Sequence, residues 1–187
     1  MEIEEYIIAD DKRLVELSLG GDHMAFEYLF NRYNDAIRRL FLLRSTSADD
    51  TEDLLQETFI KVYINLQRYS PEYTFGQWVY TIARNTHIDF ERRRQEDLSI
   101  DERFSAPEAN TPSPEENLIN LQQRSQIETY INSLPEQYRT LFTMRFLEDY
   151  SYEEIAEKLH LPMGTVKTQI HRARERMCRM ILSAEEK

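Results

Sequence analysis

Apolar residues recur at spacings of three and four along most of the chain, and no convincing period-two alternation interrupts them, so the pattern predicts helices and no strand. From Asp22 onward, Phe26, Leu29, Phe30, Tyr33, Ile37, Leu40 and Phe41 form one helical face, with Asp22 placed to cap it. A second helix opens at Ala48-Asp49-Asp50, where early carboxylates suit the positive helix N-terminus. It is expected to bury Leu55, Phe59, Val62 and Leu66 and to end before Ser70-Pro71. A third runs from about Thr74 to Arg94 and turns Phe75, Trp78, Val79 and Ile82 to one side.

The periodicity then stops. Residues 105–114 include Pro107, Pro112 and Pro114 and no large apolar side chain, which predicts an extended, flexible connection. Helix resumes near Pro114. Ser133-Leu134-Pro135-Glu136 reads as a capping box with proline early in the helix, leading to Leu141, Phe142 and Phe146. Ser151-Tyr152-Glu153-Glu154 is a second box, opening a short helix with Ile155, Ala156 and Leu159 inward. Leu161-Pro162-Met163-Gly164 reads as a turn, and Thr165 as the cap of a last helix with Val166, Ile170, Ala173 and Met177 inward. The expected fold is all-α: two small helical domains, over 1–96 and 118–187, joined by a flexible, acidic, proline-containing linker over 97–117, the C-terminal domain a helix-turn-helix.

Charge sharpens this division. The 187 residues hold 23 Lys and Arg against 34 Asp and Glu, a net charge of −11. Such a total disfavours nucleic acid, because phosphate neutralisation needs cations. The distribution reverses that conclusion locally. Between Thr165 and Met180, Lys167, Arg172, Arg174, Arg176 and Arg179 face Glu175 alone, and Arg92-Arg93-Arg94 makes a second basic run. Between these sites, residues 95–117 carry seven acids against Arg103. A single Cys excludes a disulfide framework and a multi-cysteine metal site, and fits a reducing compartment. No apolar run approaches a membrane span and the acidic start does not resemble a signal peptide, so a cytoplasmic location is expected.

A short capped helix, a turn and a basic helix form the frame of a helix-turn-helix. With Val166, Ile170 and Ala173 inward, Lys167, Thr168, His171, Arg172 and Arg174 are left to face outward, where they suit phosphates and base edges. A solvated basic face on an ordinary helical hairpin is the alternative. The strings Leu134-Pro135-Glu136-Gln137-Tyr138-Arg139, Tyr150 to Ala156, Gly164-Thr165-Val166-Lys167-Thr168 and His171-Arg172-Ala173-Arg174 together resemble the promoter-reading domain of bacterial RNA polymerase sigma factors, of the short two-domain, extracytoplasmic-function class. The resemblance implies that Lys167, Thr168, His171, Arg172 and Arg174 contact the upstream promoter element, with His171 equally readable as a surface histidine.

The first half resembles the same family independently. Asp49 to Tyr63 is similar to the helix that docks on a coiled coil of the polymerase's largest subunit, which implies polymerase contacts at Asp49, Glu52, Asp53, Gln56 and Glu57. An acidic face beside apolar area suits a basic helical partner, although acids near a helix start also serve simply to offset the dipole. Phe75 to Asn85, followed by Asp89 and Arg92-Arg93-Arg94, resembles the reader of the downstream element, where unpaired bases are captured. The resemblance implies base recognition at Asn85 and phosphate contacts at Arg84, Arg92 and Arg93. Trp78 is readable as core or as a stacking platform, and Tyr73 and Tyr80 as weaker stacking candidates.

The function implied is a sigma factor whose partners are core RNA polymerase, promoter DNA and an anti-sigma factor that in this family is often membrane-anchored. No cofactor, metal or small-molecule substrate is expected. His23, His87, His160 and His171 lack metal-ligand spacing, and neither a Gly-x-Ser-x-Gly motif nor a phosphate loop is present, so the chain is not expected to be an enzyme. A conventional helix-turn-helix regulator, binding duplex DNA without polymerase, would share the C-terminal unit only. A helical adaptor that binds protein alone would tolerate loss of Lys167, Arg172 and Arg174.

Overall fold

The computed structural model describes residues 3–44, 47–96 and 126–182. These residues are helical with short connections: α1 (Ile3–Ile8), α2 (Asp11–Leu19), α3 (His23–Leu43), α4 (Ala48–Ile64), α5 (Phe75–Glu96), α6 (residues 126–133), α7 (Glu136–Phe146), α8 (Tyr152–Leu159) and α9 (Met163–Leu182). The linker expected over 97–117 and the helix expected from Pro114 lie outside the described residues, α6 being the first helical segment after them.

Asp22 caps α3 as the sequence places it, and two further helices start on polar residues. The Asp22 carboxylate accepts from the amide of Ala25 at 3.2 Å, and Ser47 Oγ from that of Asp50 at 3.1 Å. Asp10 caps α2 in the same way, accepting from Arg13 at 2.8 Å. Each supplies an acceptor to a first-turn amide that has no partner within the helix. Two expectations are corrected. Ser133 does not cap α7: its hydroxyl donates to the carbonyl of Tyr130 at 2.7 Å, and Pro135 occupies the N-cap position without a side-chain bond. Thr165 does not open the last helix, which begins at Met163; the Pro162 carbonyl accepts from Thr165 and Val166. The turn into α9 falls one residue earlier than expected, at His160, whose left-handed φ of 52° reverses the chain.

In the first half, α3 packs on α2, α4 and α5, and α4 packs on α5. Its interior holds Leu14, Phe26, Leu29, Phe41, Leu54, Ile60, Tyr63, Leu66, Phe75 and Val79. Gly76 lets α5 approach α3, since a Cβ there would sit 2.8 Å from the Tyr33 ring. In the second half α7, α8 and α9 pack mutually around Leu134, Phe142, Ile155, Val166, Ile170 and Met177. Helix α9 also lies against α3 and α4, so the buried apolar residues of both halves form one cluster.

Polar groups fasten the two halves at two further points. Gln126 Nε2 donates to the carbonyl of Gly21 at 3.2 Å, and the Tyr130 hydroxyl meets the His23 ring at 2.9 Å. Gly21 has a φ of 92°, a backbone conformation that favours glycine. At the second point Glu57 on α4, only 2% exposed, gathers Lys61 at 3.0 Å from its own helix, Arg145 at 3.0 Å from α7 and Arg93 at 3.6 Å from α5. Arg93 and Arg145 both lie over the ring of Tyr152, at 5.1 and 5.6 Å from its centre.

Burial alone would raise the Glu57 carboxyl, but Lys61, Arg145 and Arg93 outweigh it and hold the group well below its ordinary value of 4.5. A carboxylate depressed on folding stabilises fully above that ordinary value and loses its contribution as the pH falls toward the folded value. Glu57→Gln should therefore destabilise the protein by about 3 kcal/mol at neutral pH, the cost of leaving buried cations without their partner. In urea melts the gap between wild type and variant should stay constant above pH 4.5 and narrow below it.

Candidate nucleic-acid and protein interfaces

The basic face of α9 is set by what precedes it. Ser151 Oγ accepts from the Glu154 amide at 3.1 Å while the Glu154 carboxylate accepts from the Ser151 amide at 2.8 Å, a reciprocal cap that fixes the start of α8. Ile155 is fully buried against α9, whose inward residues are Val166, Ile170, Ala173 and Met177, as the periodicity predicts. Lys167, Thr168, His171 and Arg172 consequently stand exposed on the opposite side. Thr168 Oγ donates back to the Gly164 carbonyl at 2.8 Å, which leaves its lone pairs and methyl group outward. This arrangement can present cations and hydrogen-bonding groups together to a groove of duplex DNA.

Arg174 does not join that face. It is 4% exposed, and its guanidinium lies 2.6 Å from an Asp53 carboxylate oxygen and 3.0 Å from Nδ1 of His171. Helical spacing put it near the boundary of the outward set; α4 of the other half turns that boundary inward.

Helix α5 exposes Arg84, Asn85 and Arg92 to solvent. Arg92 reaches the Asp89 carboxylate at 3.3 Å, while Arg93 donates to the Asp89 carbonyl at 3.1 Å and turns in toward Glu57. Trp78 is half-buried and packed against Tyr69 and Phe75, at ring separations of 5.5 and 5.7 Å. Tyr73 and Tyr80 are the exposed aromatics nearby in sequence, at 62% and 46%.

The acidic residues of α4 divide by depth. Asp49 and Glu52 are exposed, Glu52 pairing with Arg38 of α3; Asp53 and Gln56 are half-buried; Glu57 is buried. Sequence reasoning did not single out Arg145 or Lys61 and gave Asp89, part of the Arg-rich motif, no role of its own. Lys61 had a signal, lying four residues after Glu57 on one helix. Arg145 had none, being 88 residues from its partner. His87 is buried, stacked on Phe41, and burial lowers its pKa, which marks a neutral interior histidine. Among the described residues no cluster of His, Cys, Asp or Glu could hold a metal, and no helix is long and apolar enough to cross a membrane.

Residues 29–96 match Sigma-70 region 2 and residues 124–177 match Sigma-70, region 4. The chain is 32% identical over 173 residues to the ECF RNA polymerase sigma factor SigW of Bacillus subtilis, covering 88% of this chain and 92% of that one. It is 35% identical over 174 residues to the ECF RNA polymerase sigma-E factor of Haemophilus influenzae, again covering 88% and 92%. Among solved structures, Rhodobacter sphaeroides SigE in complex with the anti-sigma ChrR is 25% identical, with 90% of this chain and 96% of that chain covered and a TM-score of 0.43.

Because the Ser151 cap holds α8 in place beneath α9, Ser151→Ala should cost about 1 kcal/mol of stability. The expected reading is a lowered urea midpoint with an unchanged slope, since a lost cap alters stability and not the surface exposed on unfolding.

Proposed function

This chain belongs to the extracytoplasmic-function class of RNA polymerase sigma factors, and on that premise we propose how its residues divide the work. As a sigma factor it binds core RNA polymerase and directs promoter recognition and initiation. Its relatives are non-catalytic subunits, the chemistry belonging to the polymerase. In the proposed division a first domain over 1–96 docks on the polymerase and reads the downstream element, a linker spans 97–117, and a second domain over 118–187 reads the upstream element.

Lys167, Thr168, His171 and Arg172 are assigned to the upstream element in the major groove, while Arg174 joins them only where its pairing with Asp53 is released. Asn85 is assigned to a displaced base of the downstream element, Arg84, Arg92 and Arg93 to its backbone, and Trp78 to stacking from a partly packed position. Asp49, Glu52, Asp53 and Gln56 are assigned to the largest-subunit coiled coil, with Glu57, enclosed by Lys61, Arg93 and Arg145, supporting that helix from within. An anti-sigma factor completes the proposed partners, with the cytoplasm as the place of action. The observation that carries this reading is the coincidence of two family matches, in order along the chain, with two helical units that each present cations to solvent.

The net charge of −11 explains why polymerase is required. Free in solution, small basic faces on an acidic chain bind DNA weakly. Docking fixes the spacing of two weak readers, so that neither alone needs high affinity.

Transcription by sigma-free bacterial core enzyme on pooled genomic fragments tests the assignment. Defined start sites should appear with the wild-type chain and vanish when the exposed Asp49 and Glu52 are changed to Lys. Arg172→Ala should cost about 1–3 kcal/mol in promoter binding by the holoenzyme and relax specificity at one upstream position. Tight duplex binding by the chain alone, with no initiation, would instead establish a conventional regulator.

A further inference from the structure

The aromatic side chains that open α5 rest on a polar pair from outside that helix. Trp78 packs on Tyr69 and Phe75, and Phe75 meets the Tyr33 ring of α3 edge-on at 5.5 Å. The Tyr33 hydroxyl donates to the Asp11 carboxylate on α2. The other oxygen of Asp11 accepts from Arg32 at 2.6 Å, and Arg32 also donates to the carbonyl of Ala9 at 2.9 Å. Helix α2 thus holds one end of a chain of contacts whose other end is the half-buried indole. It also packs on the 3₁₀ turn Leu66–Arg68, which leads directly into Tyr69. The family match over residues 29–96 leaves α2 outside it, and none of the roles assigned above falls on Asp11 or Tyr33.

We propose that Asp11 and Tyr33 are positioning residues, which set the Trp78 platform and the turn before α5 for capture of an unpaired base of the downstream element. The inference rests on the functional reading above and adds to it a role for α2. Several features support the chain of contacts. Gly76 admits the Tyr33 ring against the first turn of α5, where a Cβ would sit 2.8 Å from it. Tyr69 meets Phe75 edge-on at 5.4 Å while its hydroxyl donates to the Tyr73 carbonyl at 2.7 Å, so one ring braces the turn that carries the exposed Tyr73. Thr74 and Gln77 close that turn reciprocally, each side-chain oxygen accepting from the other's backbone amide, at 3.3 and 3.2 Å. Burial, and then the bond to Asp11, push the Tyr33 hydroxyl above its ordinary value of 10.0, so it stays a donor at neutral pH. The anchored hydroxyl keeps the Tyr33 ring against Phe75, and ring contacts pass its tilt to Trp78. Every base has a face to stack, so a platform gains affinity mainly by being held in its binding orientation beforehand.

Trp78 is the chain's sole tryptophan, so its fluorescence reports the platform directly. Acrylamide quenching is measured in the intact chain for wild type, Tyr33→Phe, Asp11→Ala, Asp11→Asn and the double variant Tyr33→Phe with Asp11→Ala. Far-ultraviolet circular dichroism and urea melts confirm that each is folded. Each chain is then assembled with sigma-free core polymerase. Open complexes are counted on a promoter fragment recovered by the start-site assay, in three forms: duplex, with the downstream element unpaired by mismatch, and with the bases of that element replaced.

Tyr33→Phe and Asp11→Ala should each be quenched more readily than wild type. Both should lower the open-complex yield about fivefold, the factor that one ordinary hydrogen bond corresponds to, with affinity for core unchanged. The loss should persist on the mismatched fragment and narrow the preference for the element's own bases, which a merely structural role would not do. The double variant should be no worse than either single one, because the two side chains share one bond. Asp11→Asn keeps an acceptor and should retain the wild-type yield. The proposal is overturned if quenching is unchanged in both folded variants, if quenching rises without loss of open complexes, or if the loss tracks weaker core binding and vanishes on the mismatched fragment. A wild-type chain that yields no start site would sink the functional reading, and the positioning role with it, while a variant-sensitive Trp78 would still establish the contact itself.

Discussion

One buried carboxylate organises this molecule. Glu57 sits on the central helix of the first half and is surrounded by cations from three helices, Lys61, Arg93 and Arg145, the last contributed by the second half. A charge removed from water is tolerated only when its field is answered at close range. Each cation is in turn held elsewhere: Lys61 near Thr86, Arg93 on the Asp89 carbonyl and, with Arg145, over the Tyr152 ring. The angle between α4 and α5 and the seat of α7 against them are thereby coupled through a single residue. Such a pairing adds less to stability than apolar packing of equal volume would, but it discriminates among arrangements, because any other docking leaves ions uncompensated.

The same constraint explains how an acidic protein holds two basic surfaces without collapsing them onto its own acids at random. Arg93, Arg145 and Arg174 are turned inward and paired with acids of α4. Lys167 and Arg172 stand clear of it on the far side of α9, and Arg84 stands exposed on α5. The sidedness follows from apolar spacing: once Val166, Ile170, Ala173 and Met177 are buried, the helix has only one direction left for its remaining cations.

Sequence alone determined the helical class, the approximate placement of α3, α4, α5, α8 and α9, the inward residues of α9 and the caps at Asp22 and Ser151. These depend on periodicity and on side chains bonding to backbone three residues away, and such local information is written in order along the chain. Boundaries failed where two local signals competed. Ser133 bonded backward to Tyr130 and left Pro135 to start α7, and the left-handed His160 moved the turn into α9 ahead of Thr165. The family resemblance was also legible, because motifs in both halves occur in one chain in the expected order.

Tertiary structure alone decided which predicted residues are free and which are engaged. Glu52, Asp53 and Glu57 read alike in sequence, as acids of one helix, yet one is exposed, one half-buried and one fully enclosed. Arg172 and Arg174 read alike as well, and only the second is captured. Lys61, four residues from Glu57, is a local signal at the first site, and helical spacing puts Arg174 nearer the inward face than Arg172. What encloses each group comes largely from other helices, Arg93 and Arg145 for Glu57 and Asp53 for Arg174, and a charge's environment is set by distance in space, which local sequence does not encode.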